Sequence, residues 1–390
     1  MSRSILVIAG EVSGDMHAAE LVRAIRAREP DVEFFGIGGD ALRAEGMDIL
    51  YDVREMAVMG FAEVIRRYSF FKGVFRDMLE LVKIRRPDAV LLVDYPGFNL
   101  RFAKAIHGRG IKVLYYVCPQ VWAWHRSRIK LMAKIVNRLI VIFPFEVGVF
   151  AGTDLRVDFA GHPLVDVAKA VMAEPLKDLP WEGEPRVAVL PGSRRQEVER
   201  ILPPMIAAAV RLEAQFPNAS FILAAPSQEI AALVESVMNA QPAKPARWKM
   251  VTGETRQVLR QARAAMVASG TATIETALLG CPMIVVYKTS AVTFFFGRML
   301  VKVKHIGMVN IVAGRPVCPE YIQHQATPEA LAAGMVPLLG DTPEREAMIK
   351  GLERVRALLG QGGASDRAAG FVLEAMGPAK KVVLPIEGFC

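Results

Sequence analysis

Four short stretches of this chain combine residue types at spacings suited to bond-making chemistry. Gly10-Glu11-Val12-Ser13-Gly14-Asp15 follows an apolar run and opens a helical pattern. Glycines at such a turn let backbone N–H groups approach a hydroxyl-rich or anionic ligand, though the same residues also make a plain turn with Asp15 as a helix cap. The two acids here argue against pyrophosphate. In Val93-Asp94-Tyr95-Pro96-Gly97-Phe98-Asn99 a carboxylate falls at the end of a strand, where open α/β sheets hold ligands. Asp94 there can take a proton or orient a substrate hydroxyl, and Asp-Tyr-Pro-Gly is equally a good turn.

The other two stretches suit phosphate and ribose. In Pro191-Gly192-Ser193-Arg194-Arg195, Gly192 allows close approach, Ser193 offers a hydroxyl and Arg194 can grip phosphate with two N–H groups. The plainer reading is a capped helix with surface arginines. Ser269-Gly270-Thr271-Ala272-Thr273-Ile274-Glu275 repeats the arrangement one unit later, with Glu275 placed either to accept from ribose hydroxyls or to face solvent. The first half thus offers candidate acids, and the second a turn suited to a nucleotide diphosphate without a metal. Of the six histidines, His17 beside the first turn joins Asp15 as an alternative base. Gly36-Ile37-Gly38-Gly39-Asp40-Ala41 resembles a dinucleotide turn but follows the second strand, so an NAD enzyme rests on that pattern alone.

These turns need rigid elements behind them. Apolar runs at 5–9, 32–37, 89–94, 113–117, 139–143, 187–190, 221–225, 250–252, 265–268 and 283–287 alternate with helix-length segments. Near-continuous apolar strands separated by helices indicate parallel sheets covered on both faces. A polar, Pro-containing stretch between Val165 and Arg186 marks a boundary. The expected architecture is therefore α/β, with two doubly wound Rossmann-like domains at 1–170 and 184–376 facing a cleft, and a tail at 377–390.

Composition agrees with a large folded enzyme: 390 residues, 52% hydrophobic and 23% charged. The four cysteines show neither disulfide nor zinc spacing, which fits a reducing, cytoplasmic setting and no metal. No signal-peptide pattern or membrane-length apolar run is present. The net charge of +8 suits an anionic partner. Nucleic acid lacks any supporting motif, whereas residues 59–86 interleave Phe61, Ile65, Phe70, Phe71, Val74 and Phe75 with Arg66, Arg67 and further cations. A second basic, aromatic stretch follows Phe294. Such segments suit an anionic membrane surface, or a core stripe with a solvated face.

The motifs at 10–15, 56–64, 93–99, 119–124, 190–198, 268–275 and 310–315, in this order and spacing, resemble the lipid-A-disaccharide synthases. The resemblance runs from about Ser4 to Met376. It implies an inverting GT-B glycosyltransferase that needs no cofactor and sits peripherally on the cytoplasmic face of the bacterial inner membrane. The donor implied is UDP-2,3-diacylglucosamine, and the acceptor 2,3-diacylglucosamine 1-phosphate. The products implied are the β(1→6) disaccharide 1-phosphate and UDP. Asp94 matches the base position, Arg194 and Asn310 match polar positions important for activity, and Gly192, Ser193 and 269–275 match the nucleotide side. Glu11, Ser13, Gly14, Trp122 and Trp124 are expected on the acceptor side, and a homodimer is the protein partner considered. The rival readings are a UDP-sugar 2-epimerase, another GT-B UDP-sugar enzyme and a sugar-nucleotide sensor without activity.

Overall fold

The computed structural model describes residues 3–56, 67–290, 294 and 303–378. Two parallel sheets organise them. In the first, β1 (Ser4–Ala9), β2 (Glu33–Gly38), β3 (Asp48–Asp52), β4 (Ala89–Val93), β5 (Lys112–Tyr116), β6 (Arg138–Val141) and β7 (Arg156–Phe159) lie in the order β3-β2-β1-β4-β5-β6-β7. The second contains β8 (Arg186–Leu190), β9 (Ser220–Ala225), β10 (Trp248–Thr252), β11 (Ala264–Ala268), β12 (Met283–Tyr287) and β13 (Glu320–Ile322), ordered β10-β9-β8-β11-β12-β13. Each order reverses once, between β1 and β4 and between β8 and β11. Those two reversals are the switch points at which doubly wound sheets bind ligands.

Period-2 alternation sends the side chains of one strand into two cores. Leu6 and Ile8 of β1 join Val74, Met78 and Val82 of the helix Tyr68–Arg85 and Phe102 and Ile106 of Pro96–Ile106. Ile5, Val7 and Ala9 face the other way, onto Leu21, Val22 and Ile25 of the helix Val12–Arg28. Burial on both faces explains why the central strands read as unbroken apolar runs.

The division of the chain departs from the expected one. One unit is Met1–Pro163 together with Gly363–Cys390, and the other is Leu164–Gly362. The helix Ala364–Met376, expected in the second domain, belongs to the first. Its Ala368, Ala369 and Val372 complete the core beneath Val12–Arg28. Arg138, only 2% exposed, donates to the Phe371 carbonyl at 2.8 Å and pairs with Asp158 at 2.7 Å and Glu374 at 2.9 Å. Helical periodicity shows that an element has an apolar face; it does not say which sheet that face covers. The helix Leu164–Ala173 shifts the opposite way, into the second unit.

Candidate active site

In the first unit the switch point is built by register. Ala9 of β1 pairs with Val93 of β4, and Val93 pairs with Tyr116 of β5. The turns carrying Glu11 and Asp94 therefore leave neighbouring strand ends. Asp94 and Tyr95 both adopt left-handed backbone, with φ of 44° and 47°. Non-glycine residues hold that conformation only where their surroundings over-determine it. Here the buried Asn99 amide donates to the carbonyls of Ile8, Val93 and Asp94 at 3.3, 3.2 and 2.8 Å. Tyr115 adds its hydroxyl to the Asp94 carbonyl at 2.5 Å. Gly10 is required because the Tyr95 ring lies where a Cβ would stand.

The half-buried Asp94 carboxyl is pushed up from 3.8 to about 6, chiefly by burial and then by the negative charge of Glu11. At neutral pH it is still mostly ionised, yet more basic than an ordinary carboxylate, which suits a proton acceptor. Glu11 and Ser13 are exposed beside it, and Gly14 is buried.

Asp15 is engaged by the fold. Its carboxylate accepts the N–H groups of Gly39, Ala41 and Leu42 at 2.6, 3.0 and 3.3 Å, so it closes the start of the helix Asp40–Ala44. That contact also accounts for Gly36–Ala41: the turn binds a side chain of the helix Val12–Arg28 in its own unit. His17 is half-buried and held below its usual range by burial, hence neutral at pH 7. Its neighbour His162 is pushed down to about 3 by burial and by His17.

Trp122 and Trp124 separate in role. Trp124 is 40% exposed, with the His125 ring at 4.5 Å and the Arg128 guanidinium at 5.6 Å. Trp122 is half-buried, edge-on to Phe145 at 5.2 Å, and donates its indole N–H to Glu146 at 3.3 Å. Glu146 was missed in the sequence, where it reads as one more helix-surface acid. Asn99 stood inside the Val93–Asn99 motif without a role of its own.

In the second unit, Leu190 pairs with Val267, so the turns after β8 and β11 are adjacent. Gly192 has φ +117° and a Cβ there would meet Glu197 at 2.6 Å. The Arg194 side chain is 74% exposed and held by Glu197 at 3.1 Å, while Ser193 N–H donates to the same carboxylate at 3.1 Å. After β11, Gly270 has φ +151° and leads through Thr271 into the helix Ala272–Leu278. Ser269 donates its hydroxyl to the Ile306 carbonyl at 3.1 Å. Glu275 receives Arg256 on one oxygen at 2.7 and 2.9 Å, so it is an ion-paired residue rather than a solvated one.

Asn310 is fully buried, and its amide is consumed by the fold. It donates to Cys318 O and Glu320 Oε1, each at 2.8 Å, and accepts from Val317 N and Cys318 N at 2.7 and 2.9 Å. It is linked to the Ser269 turn only indirectly: Glu320 also takes the Ile306 N–H at 2.9 Å, and the Ile306 carbonyl accepts from Ser269.

The membrane-facing expectation needs correction on the helix Tyr68–Arg85. Val74 is buried in the core, and Phe75 packs edge-on against Phe98 and Phe102 at 5.5 and 5.8 Å. Phe70 and Phe71 lean on the same core under Arg67, whose guanidinium lies 4.6 and 5.8 Å from their rings. The exposed residues of this helix are Tyr68, Ser69, Lys72, Arg76, Glu80, Lys83, Ile84 and Arg85, with Lys83 paired to Glu80 at 2.7 Å. Phe61, Ile65, Arg66 and most of the stretch after Phe294 lie outside the described residues. No helix among the described residues is long and apolar enough to cross a membrane.

Two doubly wound parallel sheets, each with one switch point, are the two Rossmann-like halves of a GT-B fold. The family model for lipid-A-disaccharide synthetase matches residues 5–372, and the chain belongs to this family. A lipid-A-disaccharide synthase from Syntrophus aciditrophicus is 43% identical over 373 residues, covering 94% of this chain and 96% of that one. Solved structures share the fold at low identity. A putative UDP-N-acetylglucosamine 2-epimerase from Listeria monocytogenes aligns with TM-score 0.65 at 15% identity over 95% of this chain and 96% of that one. CalG4, the calicheamicin glycosyltransferase, aligns with TM-score 0.61 at 16% identity over 97% and 99%. The protein is a UDP-sugar glycosyltransferase of the GT-B class.

Proposed function

We propose that this enzyme joins UDP-2,3-diacylglucosamine to 2,3-diacylglucosamine 1-phosphate, giving the β(1→6)-linked disaccharide 1-phosphate and UDP. The acceptor's 6-hydroxyl attacks the donor's anomeric carbon, the bond from that carbon to the UDP oxygen breaks, and Asp94 takes the hydroxyl proton. Single displacement inverts the anomeric centre. Charge grows on the departing diphosphate, where Arg194 and the N–H groups after β8 are suited to receive it. Glu275 and the Ser269–Thr271 turn are assigned to the nucleoside, and Glu11, Ser13 and Trp124 to the acceptor.

The observation that carries this reading is the clamped, partly desolvated carboxyl of Asp94 at the β1/β4 switch point, raised to about 6. Both substrates bear acyl chains, so the enzyme is proposed to work at the anionic inner face of the bacterial inner membrane. The exposed cations of Tyr68–Arg85 would meet lipid phosphates there.

The test is UDP release by the purified protein given the diacylated donor, with and without the diacylated acceptor phosphate, in excess chelator. Acceptor-dependent release with disaccharide formed is expected. Release without disaccharide, or interconversion of the UDP-sugar at its C2, would replace this reading by hydrolysis or epimerisation.

A further inference from the structure

Glu146 is a buried acid for which the proposed reaction has no use. It lies in the helix Phe145–Val149 and is 2% exposed. Its Oε2 accepts the Phe143 N–H at 3.2 Å and its Oε1 the Trp122 indole N–H at 3.3 Å. Phe145 completes the grip, stacked on Phe143 at 5.7 Å and edge-on to Trp122 at 5.2 Å. One carboxyl thus ties the turn after β6 to the segment 119–124 after β5.

Register puts this tie beside the base. Val93 pairs with Tyr116, and Tyr116 with Ile140, so Asp94, Cys118 and Glu146 leave three successive strands at one sheet edge. The charged groups acting on Asp94 and on Glu146 are acids. Asp94 opposes ionisation of Glu146, and Glu11 opposes that of Asp94. The Cys118 thiol is held far above its usual range by burial, by Glu146 and by Asp94. The phenol of Tyr115 is likewise raised by burial, by Asp94 and by Cys118, with Arg128 acting weakly the other way.

We propose that Glu146 is a positioning residue for the transfer reaction: through the Trp122 indole it fixes the segment 119–124 at the strand edge that carries Asp94. This rests on the transferase reading given above. Burial pushes the Glu146 carboxyl up to about 8, against the pull of its N–H donors. Near pH 7 it therefore keeps its proton while Asp94 loses its own, and the tie holds without a second buried charge beside the base. An apolar residue at 146 would leave the indole N–H and the Phe143 N–H unpaired.

Three variants test this. Glu146→Gln keeps a neutral acceptor for the indole and should retain turnover within about threefold. Glu146→Leu should lower kcat roughly tenfold to a hundredfold while UDP affinity, read in the second unit, stays unchanged. Trp122→Phe keeps the ring packing without the N–H donor, and should show a loss of the same kind if Glu146→Leu fails to fold. Tryptophan fluorescence of the wild type should titrate with a midpoint near 8, and that transition should vanish in Glu146→Gln and Trp122→Phe. A folded Glu146→Leu enzyme with normal kcat, a Glu146→Gln as impaired as Glu146→Leu, or no titration near 8 would overturn the proposal. The fluorescence readout needs no substrate, so its failure is distinct from failure of the wild type to make disaccharide, which would sink the transferase reading instead.

Discussion

Glu197 holds Arg194 with one carboxylate oxygen and the Ser193 N–H with the other, each at 3.1 Å. Those are the groups assigned to the donor's diphosphate, so a bound nucleotide competes with Glu197 for them. The Arg194–Glu197 pair is exposed, and exposed pairs are worth roughly 0.2–1 kcal/mol, so the competition is modest. Arg194→Ala should weaken UDP binding by tenfold or more, at about 1.4 kcal/mol per decade, with the melting temperature unchanged. Glu197→Gln should tighten UDP binding, by about fivefold at most. Isothermal titration with UDP reads both. Equal affinity of wild type and Arg194→Ala would remove Arg194 from the nucleotide side.

Asp94 carries a pH signature. Its proton must be off for it to act as base, so kcat/KM should rise through about pH 6 and reach a plateau above it. One unit below the midpoint, activity should be about a tenth of the plateau. Asp94→Asn should cost roughly a hundredfold to ten-thousandfold in turnover. It should also raise stability at pH 7. The folded carboxyl binds its proton more tightly than the unfolded one, whose ordinary value is 3.8. Its contribution to stability therefore falls as pH rises from about 4 through about 6, and the amide removes that penalty. Thermal melts of the two proteins at pH 4 and pH 7 check the sign. A folded Asp94→Asn enzyme with normal turnover would move the base elsewhere, with the neutral His17 next in line.

Asn310 should fail differently from Arg194. Its amide satisfies four partners in a fully buried site, so Asn310→Ala leaves Glu320, Cys318 and two backbone N–H groups without it. The expected cost is about 3 kcal/mol of stability. Because Glu320 and Ile306 link this site to Ser269, UDP affinity should fall with it. Urea unfolding with and without UDP separates the two cases. Arg194→Ala loses the ligand and keeps the fold, whereas Asn310→Ala loses both.

What the sequence disclosed follows from burial. All ten strands read from apolar runs are present, and the three unread ones, β3, β7 and β13, are edge strands with half-exposed patterns. An edge strand lacks the two-sided burial that makes a continuous apolar run. Asp94 and Arg194 stood out as candidates because Asp94 follows β4 directly and Arg194 ends the short turn after β8. The partners of Asp15, read as helix cap or base, and of Asn310 and Glu146 did not stand out, because a polar residue engaged by the fold and one awaiting substrate have the same letter. Only the partners tell them apart: three backbone amides around Asp15, four bonds on Asn310, an indole on Glu146. The helix Ala364–Met376 fell inside the expected second domain, 184–376, yet it packs in the first unit, where Arg138, far away in sequence, holds the Phe371 carbonyl and Glu374.

The helix Tyr68–Arg85 separates membrane contact from core packing. Lys72 and Arg76 are exposed, whereas Phe75 is edge-on to two buried rings. Each cation near an anionic surface contributes about 1 kcal/mol, so Lys72→Glu with Arg76→Glu should weaken partition onto acidic vesicles at least ~tenfold. The melting temperature should not move, because the Arg76 side chain is 81% exposed and pairs only with its neighbour Asp77 among the contacts described. Phe75→Asp is expected to unfold the unit instead, since a carboxylate would be forced among Phe98 and Phe102. Sedimentation with anionic and with neutral vesicles distinguishes electrostatic docking from insertion. Binding of the double variant at the wild-type level to both would assign the membrane contact to another surface, because no change of fold would be available to explain it.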